Sequence, residues 1–321
     1  MTQAEEILVG VDGSPPGRAA IAWALVEARR RACGVLLVHA SDVGPGLWTT
    51  TPSVRRGLRE LAQPIVDHAV AYARGLEPSV QVRGRLILGS PRRALVAASA
   101  DCVMTVVGRQ GKGFLAAHLV GSLSQSLMAH SHNPVIAVAP DADSAMRQPI
   151  QRVVVALGDR PTSMRALDFG IAEAQLHRVR LWVVHAWQVP GWPHSQGAGE
   201  DPESAVPGVR IAAETQRISA MLAATAPRHD GVDVCPVVLA GRPVQVISEF
   251  CRPSDLLVLG QHRHGRYLPP TLGPVVSGAL HHAQCAVAVV GETVLARDLQ
   301  AETAAARARS EQPLTSGLIA Y

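Results

Sequence analysis

The chain has 321 residues, 47% hydrophobic but only 3% aromatic, and a formal net charge of +4. That length suits two domains, and an aliphatic core suits strands buried on both faces with Ala-rich helices packed against them. Its arginines are scattered instead of forming a basic stripe with interleaved aromatics, which excludes nucleic acid as a partner. No apolar run approaches the ~18 residues of a spanning helix, which excludes a membrane partner.

In chain order, "EILVGVD" reads as a parallel strand covered on both faces. Ser14 caps the next helix, Pro15 and Pro16 sit in its first turn, and Ile21, Ala24, Leu25 and Ala28 form its buried stripe. Then follow "VLLVHA" (strand), residues 56–75 (helix), "VQVRGRLIL" (strand) and "SPRRALVAASA" (helix, with Ser90 as cap). "CVMTVVG" (strand), a helix from about Gly121 and "PVIAVA" (strand) complete the unit. Five strands alternating with four helices predict an open, doubly wound α/β sheet.

The unit is written twice. Asp12 aligns with Gly158, Glu27 with Glu173 and His39 with His185, each 146 residues further on. Gly108 aligns with Gly260 and Gly121 with Gly273, 152 residues further on. The Pro/Gly-rich stretch "QVPGWPHSQGAGEDPESAVPG" accommodates the extra residues. The predicted organisation is a domain over 1–145, a second over 146–292 and a tail over 293–321, with an α/β class of two tandem parallel-sheet domains of five strands each.

"MTQAEEILVG" lacks the basic-then-apolar order of a signal peptide. The five cysteines show no Cys-x-x-Cys and no metal-ligand spacing, so they read as reduced thiols. The expectation is a soluble cytoplasmic protein.

The chemistry gathers in "GVDGS" after the first strand and "GRQGKG" after the fourth, which meet at the carboxyl ends of an open sheet where chain order reverses. The spacing is Gly108-x2-Gly111-x9-Gly121-Ser122. Gly108 and Gly111 let the backbone approach a ligand. Gly121 and Ser122 open a helix whose N–H groups and positive dipole end suit phosphate, with hydroxyls at Ser122 and Ser124. Asp12 offers a carboxylate to a ribose hydroxyl or adenine edge. A Walker A loop would need Lys after Gly113, where Phe114 stands, and a Rossmann Gly-x-Gly-x-x-Gly is missing after the first strand.

The pattern Gly-x2-Gly-x9-Gly-Ser behind "VGVDGS" resembles the universal stress protein family, in its tandem two-domain form of actinobacterial type. The resemblance covers about residues 4–140 and 150–291. It implies an adenine nucleotide alpha-hydrolase-like fold, binding of ATP or another adenine nucleotide, with or without Mg, and dimerisation through the last strand. Carried over, Gly10, Val11 and Asp12 face the ribose or adenine end, and the main chain at Ala40 pairs with the adenine edge. Gly108 and Gly111 line ribose and phosphates, while Gly121, Ser122 and the Leu123 main chain hold phosphate oxygens. Arg109 and Lys112 are candidate extra phosphate contacts.

The second copy has Gly158 for Asp12, Arg263 for Gly111 and Pro274 for Ser122. Pro274 removes both an N–H and a hydroxyl from the helix start. The second half is therefore expected not to bind ATP in this mode, although Arg263 with His262 and His264 leaves another anion open. The histidine pairs His130/His132 and His281/His282 read as helix-end residues, and Trp187 and Trp192 as loop residues packing on a partner helix. No catalytic constellation and no metal site is visible, which predicts a non-catalytic or very slow ATPase stress-response protein. A nucleotide-independent interaction module with an unknown protein partner, and a nucleotide-dependent transferase or ligase, remain as alternatives. Pairing of "PVIAVAP" with "CAVAVVG" makes either a homodimer or an intrachain pseudo-dimer.

Overall fold

In the first half, apolar runs form β1 (Glu6–Gly10), β2 (Gly34–Ser41), β3 (Val82–Leu88), β4 (Met104–Gly108) and β5 (Val135–Val138). Between them lie α1 (Pro15–Arg31), α2 (Pro52–Leu76), α3 (Pro91–Ser99) and α4 (Ser122–His130). The second half repeats the order with β6 (Arg152–Ala156), α5 (Pro161–His177), β7 (Leu181–Trp187), α6 (Pro207–Ala224), β8 (Val234–Ala240), α7 (Pro243–Phe250), β9 (Asp255–Gly260), α8 (Pro274–His282) and β10 (Ala286–Val290). The computed structural model describes residues 5–41, 51–109, 122–139, 149–158, 161–187, 207–224, 231–261 and 272–291. The tail 293–321, Lys112, Trp192, His262, Arg263 and His264 lie outside these residues.

The two halves share one sheet in the order β3-β2-β1-β4-β5-β10-β9-β6-β7-β8. Every neighbouring pair is parallel except β5 with β10, which run antiparallel with Ala288 opposite Ile136. The intrachain pseudo-dimer is thus formed by the last strands, and the apolar edge of β5 is covered within the chain. The outer edges are β3, which carries exposed Arg83 and Arg85, and β8, which contains Pro236. Charges and proline on edge strands discourage further pairing, so strand exposure gives no ground for a dimer between chains.

Aliphatic side chains pack on both faces of the sheet. One face joins Ile7, Val9 and Val106 with Val153, Val155 and Val258 beneath α1 and α5. The other joins Leu8, Leu95 and Leu127 with Leu257, Ile247 and Leu280. Strands buried on both sides lose the polar alternation of a half-exposed sheet, which is why they read as continuous apolar runs.

Local details refine the sequence reading. Ser14 does cap α1, its hydroxyl accepting from Gly17 N at 3.3 Å. Ser90 takes the N-cap position of α3 but its side chain makes no capping bond. α2 begins at Pro52, four residues before the expected start, since Pro is favourable in a first turn. The expected α1 stripe is buried, and so are Ala20, Ala22, Trp23, Glu27 and Arg31. Trp187 is not a loop residue; it ends β7 and is buried.

Candidate functional site

β1 hydrogen-bonds to β2 on one side and β4 on the other, so chain order reverses at β1. The segments leaving β1 and β4 therefore lie side by side at the carboxyl ends of the strands, as the motif spacing anticipates. Gly10 ends β1, and Val11 continues the ladder by donating its N–H to Val38 O at 3.0 Å. His39 closes the second strand by donating Nδ1–H to Val11 O at 2.8 Å. This bond fixes its tautomer and anchors the segment just before Ala40, which is half-buried at the β2 terminus.

Asp12 is exposed, and its Oδ1 accepts Ser14 N at 2.9 Å. That turn requires Gly13 at φ +80°, a left-handed conformation that costs glycine little. Gly17 completes the arrangement: a Cβ there would stand 3.1 Å from Asp12 Oδ1. One carboxylate oxygen is thus held by backbone, and the group faces outward at the mouth of the crevice.

Gly108 ends β4, where the structure gives it a different reason from the expected one. A Cβ on Gly108 would lie 2.3 Å from the Pro16 carbonyl carbon and oxygen. The close approach it permits is to the first turn of α1, and this contact draws the β1 and β4 segments together.

Arg109 corrects the sequence reading. Its side chain is buried and turns away from the crevice, donating Nη1–H to Leu280 O at 2.6 Å. Its Nη2 donates to Ala283 O and to Cys285 O at 3.2 Å, in the connection from α8 to β10 in the other half. The guanidinium joins the halves and is no phosphate ligand, because carbonyls of Leu280 in the last turn of α8 and of Ala283 and Cys285 between α8 and β10 already hold it.

Gly111 and Gly121 lie outside the described residues. Ser122 begins α4, Leu123 is half-buried against the apolar core, and Ser124 is buried within the helix. Seven of the eight described helices begin on proline; α4 is the exception. Its first turn contains no acidic residue, so no carboxylate of that turn offsets its N–H groups and positive end.

The second half keeps the frame. Leu157 N donates to Val184 O at 2.8 Å and His185 Nδ1 to Leu157 O at 3.0 Å, matching Val11 and His39. The position of Asp12 is Gly158, whose N–H is taken by Ser163 Oγ at 3.1 Å. Ser163 is the counterpart of Gly17, so a hydroxyl replaces both the carboxylate and the space beside it. Sequence reading passed over Ser163; the Gly-to-Ser exchange in register with Gly17 was its only signal. Pro274 starts α8 as expected. Among the helix-end histidines, His130 donates Nδ1–H to Ser126 O at 2.8 Å.

Comparison with known proteins agrees with this geometry. The model of the universal stress protein family matches residues 4–139 and again 149–291. Universal stress protein Rv2005c of Mycobacterium tuberculosis is 29% identical over 299 residues, covering 89% of this chain and 97% of its own. Universal stress protein Rv2623 of the same organism is 29% identical over 305 residues, with 90% and 97% covered. A universal stress protein structure from Archaeoglobus fulgidus superposes with a TM-score of 0.66 at 16% identity, covering 90% of this chain and 99% of that one. With both halves matched by its family model, the chain belongs to the universal stress protein family, in tandem form.

Proposed function

We propose that the chain binds one adenine nucleotide, ATP, at the carboxyl ends of β1, β2 and β4, and that it acts as a stress-response protein without rapid turnover. The observation that carries this reading is the contrast between α4 and its counterpart. α4 opens on Ser122 with every first-turn N–H present, whereas α8 opens on Pro274. Asp12 faces the same crevice with one oxygen already oriented, while Gly158 is closed off by Ser163. In this reading the triphosphate lies against the amides of α4, and Asp12 accepts from a ribose hydroxyl or the adenine edge. Mg accompanies the phosphates as part of the nucleotide. The second half serves as a permanent partner in the sheet, and the compartment is the cytoplasm.

Calorimetric titration with ATP tests this on wild type, Asp12→Ala and Gly111→Arg. A hydrogen-bonded polar group lost from a site costs roughly 1–3 kcal/mol, about 5- to 150-fold in affinity. Wild type that binds nothing below millimolar ATP overturns the proposal.

One observation favours the interaction-module reading. Gly108 and Arg109 both have packing duties that need no ligand, against Pro16 and against the end of α8. Under that reading Gly121→Asp leaves partner binding unchanged and purified protein carries no nucleotide.

A further inference from the structure

A cavity of about 1180 Å³ opens between the two halves, away from the crevice at β1 and β4. Its walls are the last turns of α1 and α5 and the segments entering β6, β7 and β8. Five arginines line it, Arg29 and Arg30 from the first half and Arg152, Arg178 and Arg180 from the second, against a single acid among the described residues, Asp233. Three of the five have carboxylate partners: Arg29 with Glu77, Arg152 with Asp255 and Arg180 with Asp233. Arg30 and Arg178 make no ion pair among the described residues.

Basic residues at helix ends often do no more than oppose the helix dipole. The internal repeat shows that this fold does not require them here. At the matching positions of the first half, Arg152 is Glu6, Arg178 is Ala32 and Arg180 is Gly34. Ala32 and Arg178 adopt the same left-handed conformation, with φ of 51° and 56°. The same turn therefore forms with a methyl group as with a guanidinium.

Two buried donors on residues of the wall also lack partners among the described residues. Arg30 Nε and Trp182 Nε1 are shielded from solvent and make no hydrogen bond there. Trp182 is held in place by Arg152 and Arg180, whose guanidinium carbons lie 5.6 and 5.7 Å from its ring centre. Unsatisfied N–H groups on residues that line a cationic cavity favour an acceptor that carries negative charge, reached by a small side-chain adjustment.

We infer that this cavity binds a small molecule bearing two or more phosphate groups, clasped between arginines of both halves. Guanidinium groups on opposing walls match several phosphates better than one, and the volume reaches the upper end of small-molecule sites. Such a ligand would link the relative placement of the halves to its concentration, independently of nucleotide at β1 and β4.

The test is calorimetric titration of the full chain with inorganic tripolyphosphate, which carries no adenine. One molecule should bind per chain, more weakly at raised salt and at least tenfold more tightly than orthophosphate. Arg178→Glu, on an exposed turn, should lose tenfold or more in affinity, and Trp182→Phe severalfold. Arg29→Gln reads the opposite wall and should also weaken binding, while Gly111→Arg should leave it unchanged. The inference is overturned if wild type binds no tripolyphosphate, if Arg178→Glu and Arg29→Gln bind as wild type does, or if Gly111→Arg abolishes binding. ATP affinity that falls in Gly111→Arg but not in Arg178→Glu keeps the two sites distinct.

Discussion

His177 Nε2 on α5 lies 3.1 Å from Glu27 Oε2 on α1, an ion pair between the two halves buried from solvent on both sides. Its mirror image is the bond from Arg31 to Glu173. Arg31 also holds Glu27, four residues back on its own helix, at 2.8 Å, as His177 faces Glu173 at 3.6 Å. Glu27 and Glu173, and likewise Arg31 and His177, are each 146 residues apart. Two acids and two bases thus alternate about a pseudo-twofold axis, as in an isologous dimer interface. Glu27, Glu173 and His177 come close enough to share a cation. With Arg31 bonded to both carboxylates and His177 protonated, the group is already neutral.

Removing one member should therefore be worse than removing all four. Glu173→Gln leaves Glu27 alone against both Arg31 and His177, one buried positive charge in excess, and is expected to cost roughly 3–5 kcal/mol. Replacing Glu27, Arg31, Glu173 and His177 together with apolar residues of similar volume should cost much less. Urea denaturation midpoints of the single and quadruple variants check this.

The quartet also sets a pH dependence. Burial by itself would lower the His177 pKa, but the charge of Glu27 and contact with Glu173 outweigh it and raise it to about 9 from 6.5. Burial would raise Glu27, yet His177 and then Arg31 bring it from 4.5 to about 2. The His177 contribution is complete below its unfolded value and is lost as pH rises through about 9. The Glu27 contribution is complete above its unfolded value and is lost as pH falls through about 2. Wild type should lose urea resistance between pH 7 and 10, and His177→Gln should show a flatter alkaline limb.

Arg109→Leu strips the carbonyls of Leu280, Ala283 and Cys285, from the last turn of α8 to the start of β10, of their donor. We expect a loss of roughly 2–3 kcal/mol in stability and no change in ATP affinity. Arg109→Lys should recover little, since an ammonium cannot span the fork. Thermal melts paired with ATP titration separate the two effects.

Gly17→Ser copies the second half into the first. Its hydroxyl would compete for Asp12 N and crowd a carboxylate that a Cβ already approaches to 3.1 Å. ATP affinity should fall by about 5- to 30-fold with little change in melting temperature. Gly108→Ala should behave differently, because its Cβ would meet Pro16 backbone at 2.3 Å. Overpacking there should cost roughly 1–3 kcal/mol or more, read as an earlier urea transition with ATP affinity falling alongside.

Fold and site were legible to different degrees. The strands announced themselves because burial on both faces demands continuous apolar runs, and the repeat showed because Glu27, His39 and Gly108 recur in register. The α2 start was misplaced, since propensity around Thr51 and Pro52 does not distinguish loop from first turn. Arg109 looked like a phosphate ligand because it sits in a glycine loop, and nothing local reveals that carbonyls 171 to 176 residues away lie within its reach. Ser163 was missed for the same reason: its role exists only once the turn brings it onto Gly158 N.

From its residues alone this chain specifies two α/β units, the meeting of the segments after β1 and β4, and the loss of a carboxylate and a helix-start N–H in the second copy. These are matters of periodicity and residue type, which act within a few positions along the backbone. Only the tertiary structure decides that β5 pairs with β10, that Arg109 spans the halves, that Glu27 shares its charge with His177, and that five arginines converge on one cavity. Those outcomes depend on distances between residues far apart in the chain, and side-chain reach and burial become defined only after the sheet has closed across both halves.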